Sequence, residues 1–239
     1  MRFPRPLLRG RLERRYKRFL ADVVLDDGRR ITAACPNTGS MLGLCVPGTR
    51  VWLSESDNPA RKYPHTWEMV EADLGEGPTL VGINPMHPNK LVREAIVAGR
   101  IAPLKGFGRL KTEQRYGEEG SRIDLLLEDD AKGRAYVEVK NVHLMRRPGC
   151  AEFPDSVTER GAKHLRELAW VARQGARAVL VFLVQRSDAQ HLSLAADIDP
   201  AYAATFRAAA EAGVEALAYR CRLTPEDITV ERKIPLRIA

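Results

Sequence analysis

The segment SRIDLLLEDDAKGRAYVEVKNVHL, residues 121–144, decides how this chain is read. An apolar run (Ile123, Leu125, Leu126, Leu127) and a β-branched run (Val137, Val139, Val142) flank Asp129, Asp130, Lys132 and Gly133. That pattern predicts two strands joined by a polar hairpin. Successive strand residues face opposite ways, so Tyr136, Glu138, Lys140 and Val142 share one face while Val137 and Val139 share the other. Glu138 and Lys140 are then neighbours, roughly 7 Å apart along the strand. Asp124 interrupts the apolar run of the first strand, where an unpaired carboxylate is costly to bury. Antiparallel pairing would bring it opposite the Glu138 and Lys140 pair.

Two carboxylates and one ammonium in a small volume suit phosphodiester hydrolysis, which needs a divalent cation to offset phosphate charge and acidify an attacking water. Asp124 and Glu138, joined by a main-chain carbonyl such as that of Val139, make a hard oxygen set for Mg²⁺ or Mn²⁺ and leave positions for water and phosphate. Lys140 is placed to orient the water or to neutralise charge developing in the transition state. The spacing is D-x13-E-x-K. The same residues also fit a plainer description, an exposed hairpin with an ordinary Glu138–Lys140 ion pair.

Working outward, 239 residues with 44% hydrophobic and 29% charged content describe a soluble globular protein of one large or two small domains. The net charge is +7, and residues 1–30 alone hold ten Lys or Arg against four Asp or Glu. A basic balance favours polyanions such as nucleic acid, DNA first and RNA as an alternative, in single-stranded form as well as duplex. The opening MRFPRP has no apolar core of a signal peptide, and the run Ala178 to Val184 is too short to cross a bilayer, so a cytoplasmic protein without membrane partners is expected. Cys35, Cys45, Cys150 and Cys221 form no C-x-x-C pair, which argues against a zinc site or a disulfide framework. Oligomeric state is left open by these features.

From Leu7 to Ile83 short strand signals alternate with turn formers, the pattern of a small OB-type β-barrel. The first of its two basic and aromatic segments interleaves Arg14, Arg15, Lys17 and Arg18 with Tyr16 and Phe19. The second supplies Arg61, Lys62, Tyr63, His65 and Trp67. Bases would stack on the rings while the cations follow phosphates, or these are a solvated basic edge with core aromatics behind it. The segment CPNTGSM at 35–41 reads as a tight connection, in which Gly39 permits a close backbone approach to a phosphate.

The pattern changes from strand to helix around Asn84 to Pro88, which divides the chain into residues 1–83 and 84–239. Glu94 on this first helix is a further candidate ligand from the side, against the plainer expectation of a solvated glutamate. Arg109 to Tyr116 gives another strand ahead of the two already described. Ser156 and Glu159 then fit a capping box for a helix to about Gln174, on which Arg160, Lys163 and His164 form one basic face, meeting phosphates if the helix lies beside the carboxylates and otherwise solvated. Pro154-Asp155 follows Glu138-x-Lys140 and so is in the wrong order for a nuclease signature; it reads as the turn into this helix. Arg177 to Gln185 is a strand buried on both faces, a helix covers Pro200 to Ala212, and a strand at Val214 to Cys221 leads to an irregular tail. The second half is thus an α/β domain with a mixed central sheet.

These strings carry a resemblance. RYKRFLAD, CPNTGSM, RKYPHTWE, SRIDLLL, YVEVKNV and FPDSVTERGAKHLREL together resemble the sugar fermentation stimulation protein A family over nearly the whole chain. The resemblance implies an amino-terminal OB-fold domain joined to a PD-(D/E)-x-K nuclease-like domain, with DNA binding. On that pattern Asp124 is the first acid, Glu138 the second and Lys140 the lysine, with Ile123 replacing the proline before the acid. Two function classes follow: a Mg²⁺- or Mn²⁺-dependent nuclease, or a non-catalytic DNA-binding regulator of sugar metabolism that keeps the fold.

Overall fold

The computed structural model describes residues 1–238, and Ala239, the end of the second expected domain, lies outside the described residues. Six strands form the first sheet: β1 (Leu8–Tyr16), β2 (Leu20–Leu25), β3 (Arg30–Ala34), β4 (Arg50–Glu55), β5 (His65–Ala72) and β6 (Thr79–Gly82). Their order is β3-β2-β1-β4-β5-β6, and a β3–β5 contact at Ala34 and Thr66 closes the first five into a barrel. Alternating Leu12, Val23, Leu53, Trp67 and Val70 fill it. Gly10 permits the tight curvature of β1, because a Cβ there would stand 2.6 Å from the Val24 carbonyl oxygen.

The second part begins with α1 (Pro88–Val97), followed by β7 (Arg109–Tyr116), β8 (Ser121–Asp129), β9 (Gly133–Val142), β10 (Leu144–Arg147) and β11 (Cys150–Phe153). Then come α2 (Glu159–Arg173), β12 (Arg177–Val184), β13 (His191–Leu194), α3 (Pro200–Glu211), β14 (Glu215–Leu223), β15 (Ile228–Ile234) and β16 (Leu236–Arg237). The central sheet runs β15-β14-β12-β9-β8-β7. Strands β9, β12 and β14 are parallel, and the outer pairs are antiparallel. Period-2 alternation sends Val137, Val139, Val179 and Val181 to the layer that α1 covers with Leu91, Val92 and Ala95. Leu180, Phe182 and Val184 face the other way, under Leu165 and Leu168 of α2 and Phe206 of α3. The fold is therefore an OB-type barrel followed by a mixed-sheet α/β domain of the PD-(D/E)-x-K kind. No helix among the described residues is long and apolar enough to cross a membrane.

Three local expectations are corrected. The irregular tail is instead β15 and β16, because Ile228, Val230 and Ile234 alternate inward and complete the sheet edge. A second sheet, β10-β11-β13-β16, was not anticipated: three of its strands have only four residues, too few to show a period. The cap of α2 is Thr158, whose side chain accepts the Gly161 N–H at 3.1 Å, not Ser156. Ser156 lies in the turn after Pro154, a full residue pair too early to reach the first turn. Thr158→Ala is expected to cost about 1 kcal/mol in urea denaturation, while exposed Ser156→Ala stays within about 0.5 kcal/mol of wild type.

Candidate functional site

Asp124 stands where the central sheet comes apart. The β8–β9 ladder ends at Leu125 and Val137. On the other side, β7 pairs Thr112 with Leu125 and Gln114 with Ile123, but Glu113 opposite Asp124 has a left-handed φ of 54° and is outside the ladder. The Asp124 carboxylate takes over the missing bonding: Oδ2 accepts the Val139 N–H at 2.7 Å and Oδ1 accepts from Asn89 Nδ2 at 2.8 Å. Because the N–H and C=O of one strand residue point to the same edge, the Val139 carbonyl turns into the same gap. Burial first and the Glu138 charge second push the Asp124 carboxyl up to about 6.

Glu138 is 2% exposed. Its Oε1 accepts from Lys140 Nζ at 2.8 Å, the contact that E-x-K spacing on a strand provides, and is hydrogen-bonded to His164 Nδ1. Lys140 Nζ also lies 3.2 Å from His164 Nδ1. Burial would raise the Glu138 carboxyl, but the His164 hydrogen bond and the Lys140 charge outweigh it and hold it below the usual carboxylate range. Glu138 Oε2 is buried with no hydrogen-bond partner among the described residues. The two acids therefore differ: Glu138 is held ionised, whereas Asp124 is destabilised as an anion.

The basic face expected on α2 divides by role. His164 is buried and bonded to Glu138, so it belongs to the carboxylate cluster and not to a phosphate-facing surface. Arg160 is exposed beside it, with Nε 3.5 Å from His164 Nε2. Lys163 Nζ donates to the Glu119 carbonyl at 2.6 Å, and Arg166 grips the Glu119 carboxylate at 3.0 and 2.9 Å. Glu167 accepts the Glu119 N–H, which ties α2 to the β7–β8 turn. Gly117 admits this contact, since a Cβ there would collide with Glu167 Oε2. Asn89 and Glu167 escaped sequence reading. The signal for Glu167 is its i+3 spacing from His164, and for Asn89 its place in the first turn after Pro88.

Other expected site residues lie elsewhere. The Glu94 carboxylate is engaged away from the Asp124 and Glu138 contacts, meeting the Met1 amine at 2.9 Å and Lys90 at 4.0 Å. Trp67 is fully buried in the barrel, its indole N–H donating to the Met69 carbonyl at 2.9 Å, so no base can stack on it. His65 is buried 3.6 Å from Glu55. Arg14 is paired with Asp22 at 2.8 Å over the Tyr16 ring, and Arg15 donates to main-chain carbonyls. Lys62 stands 5.5 Å from the Tyr63 ring centroid at the surface. Lys17 and Arg18 are exposed in the β1–β2 turn. Among the described residues no three His, Cys, Asp or Glu side chains converge as a metal cage.

An acid on β8, an E-x-K pair on β9 and helices α1 and α2 on opposite faces define a nuclease-type domain behind an OB-type barrel. The family model described as the sugar fermentation stimulation protein RE domain matches residues 86–227, and the SfsA N-terminal OB domain matches residues 14–83. The chain belongs to the sugar fermentation stimulation protein (SfsA) family. Sugar fermentation stimulation protein homologs from Brucella ovis and Brucella melitensis are each 57% identical over 236 residues, spanning 99% of this chain and 97% of theirs. The solved structure of Pyrococcus furiosus SfsA in complex with Ca²⁺ matches with a TM-score of 0.86 at 29% identity, covering 99% of this chain and 98% of that one.

The Asp124 shift sets a pH dependence. A folded-state pKa of about 6 against an ordinary 3.8 means the folded chain binds this proton more tightly than the unfolded one. The stability it contributes is full below about pH 4 and is lost as pH rises through 6. Asp124→Asn is therefore expected to stabilise the metal-free protein at pH 8 by roughly 1–3 kcal/mol. In urea melts the two proteins should converge at pH 4.

Proposed function

We propose that this protein is a nucleic-acid-binding, divalent-metal-dependent phosphodiesterase, with residues 84–239 as its nuclease-like domain and residues 1–83 presenting the nucleic acid. The observation that carries the reading is the Asp124 carboxylate, held by the Val139 N–H and Asn89 in the opened ladder, where burial first and the Glu138 charge second raise it to about 6. A divalent cation between the two would relieve that repulsion. The donor set fits one: Asp124, the unpartnered Glu138 Oε2 and the Val139 carbonyl are all hard oxygens. With only two carboxylates, the ion would keep several waters, as Mg²⁺ or Mn²⁺ does in phosphate sites. The Ca²⁺ complex of the Pyrococcus furiosus relative agrees with oxygen ligation of a divalent ion.

When bound, the ion supplies Lewis acidity and lowers the pKa of its water. Asn89 and the Val139 N–H fix the Asp124 carboxylate in orientation. Lys140, held by Glu138 and adjacent to His164, keeps an ammonium at the site to offset charge on the phosphate as water adds to phosphorus and a P–O ester bond breaks. A second reading, a DNA-binding regulator without turnover, is favoured by one feature: Glu138 is already ion-paired with Lys140 and hydrogen-bonded to His164 without any metal.

Labelled single-stranded DNA, duplex DNA and RNA incubated with Mg²⁺, Mn²⁺ or EDTA distinguish these. A nuclease cuts only with metal, loses cutting but not binding in Asp124→Ala and Glu138→Ala, and loses roughly 10²–10³-fold in Lys140→Ala. Mn²⁺ at about 100 times its Kd should also stabilise the wild type by about 2.7 kcal/mol and leave Asp124→Ala unmoved. Band shifts without cutting in all variants would establish the regulator instead.

A further inference from the structure

Among the described residues four non-glycine residues adopt left-handed φ: Lys17 (50°), Arg18 (67°), Met41 (49°) and Glu113 (54°). Glu113 lies opposite Asp124, at the candidate centre. The other three lie at one edge of the barrel. Lys17 and Arg18 occupy turn positions that Asn-Gly would fill without strain. Two cations there cost roughly 1 kcal/mol each in backbone energy, and among the described residues neither side chain has an ion pair or hydrogen bond. The turn thus presents free positive charge at the expense of stability, the arrangement expected of a binding element.

Two sets of contacts, joined through the chain from Asp155 to Arg160, lie between this turn and the carboxylates. The Phe19 carbonyl accepts the Cys35 N–H at 2.7 Å. The Arg15 guanidinium bridges the Arg18, Asn37 and Gly39 carbonyls at 3.1, 2.9 and 2.9 Å, fastening the turn to the 35–41 loop. Ser40 Oγ then donates to the Asp155 carbonyl at 2.8 Å, which reaches the head of α2. Arg160 on α2 contacts His164, and His164 contacts Glu138. Large apolar side chains are exposed along the same line: Phe19 (50%), Leu42 (52%) and Val157 (69%).

Resting on the phosphodiesterase reading, we propose that Lys17, Arg18, Phe19, Leu42, Val157 and Arg160 form one docking surface for a single nucleic-acid strand running from the barrel edge to Asp124 and Glu138. Cations at both ends complement phosphates. Phe19 offers a ring face that only unpaired bases can use. The CPNTGSM loop is the floor of this path, held in place by Arg15 and Ser40 and not itself reading bases.

The test is fluorescence anisotropy of the full-length protein with labelled oligo-dT, a duplex of equal length and a matching RNA, over a range of salt. Lys17→Asn with Arg18→Gly should melt no lower than wild type, because the turn is relieved, yet bind oligo-dT more weakly with a log–log salt slope smaller by about 1.4. Phe19→Ala should lose roughly tenfold for single strands and little for duplex. Unchanged binding in the turn and Phe19 variants, or a larger loss in Lys62→Ser with Tyr63→Ala than in either, overturns the surface while leaving metal-dependent cutting intact. Equal losses for duplex and single strand overturn the single-strand assignment. A wild type that binds none of the three probes overturns both this surface and the function on which it rests.

Discussion

Much of the site depends on one hydrogen bond, from the Val139 N–H to the Asp124 carboxylate. In an uninterrupted sheet that N–H would meet a main-chain carbonyl of β8. Here the ladder stops at the Leu125–Val137 pair, two residues short of Val139, and a side chain supplies the acceptor. The substitution keeps a buried donor satisfied while opening a gap between strands, into which the Val139 carbonyl and Glu138 project. It also fixes a charge where burial opposes it. The remaining polar contacts at the site respond to that choice: Asn89 bonds the second Asp124 oxygen, Lys140 pairs with the neighbouring glutamate, and His164 is hydrogen-bonded to it.

The barrel takes part in this through α1. Glu68 of β5 is almost fully buried, yet it accepts from Ser54 at 2.6 Å and from Asn84 at 2.7 Å, and meets His87 at 2.7 Å. Burial would raise its carboxyl, and these partners, His87 foremost, hold it down instead. Asn84 and His87 are the segment that leads into α1, whose second residue is Asn89. A buried, fully bonded carboxylate in the barrel thus sets where α1 starts and hence where the Asn89 amide meets Asp124. The first residues add a second tie, since Phe3 joins the α1-side core and the Met1 amine donates to Ile228. Barrel and sheet are consequently not free to reorient without disturbing the carboxylates.

Sequence reading succeeded where periodicity carries the information and failed where only three-dimensional packing does. The strand alternation in β9 put Glu138 and Lys140 on one face, and their contact follows directly. The barrel strands, the three strands β7 to β9 after the first helix, and the buried run of β12 were legible from period and turn residues. Aromatic residues were misread for a definite reason. In β5 both faces are buried, so Trp67 does not alternate to the surface, and a ring beside basic residues became core instead of a stacking platform. His164 looked like part of a basic stripe because helical spacing cannot say which element covers that stripe. The short strands β10, β11 and β13 hold too few residues for any period to emerge.

The positions that resist local rules cluster meaningfully. Glu113 is strained beside an acid that interrupts an apolar strand, and Lys17, Arg18 and Met41 are strained at an edge where cations and apolar side chains stay exposed. Elsewhere local preference and global fold agree: prolines stand at the starts of α1 and α3, Thr158 and Asp199 cap α2 and α3, and the central strands are β-branched. Sequences that agree with their fold nearly everywhere concentrate their disagreements where something other than stability is at stake. On that ground the proposed docking surface takes in both the barrel edge and the opened ladder. The Arg15, Ser40 and Asp155 contacts between them are the structural means by which a strand bound at one part would be held in register with the other.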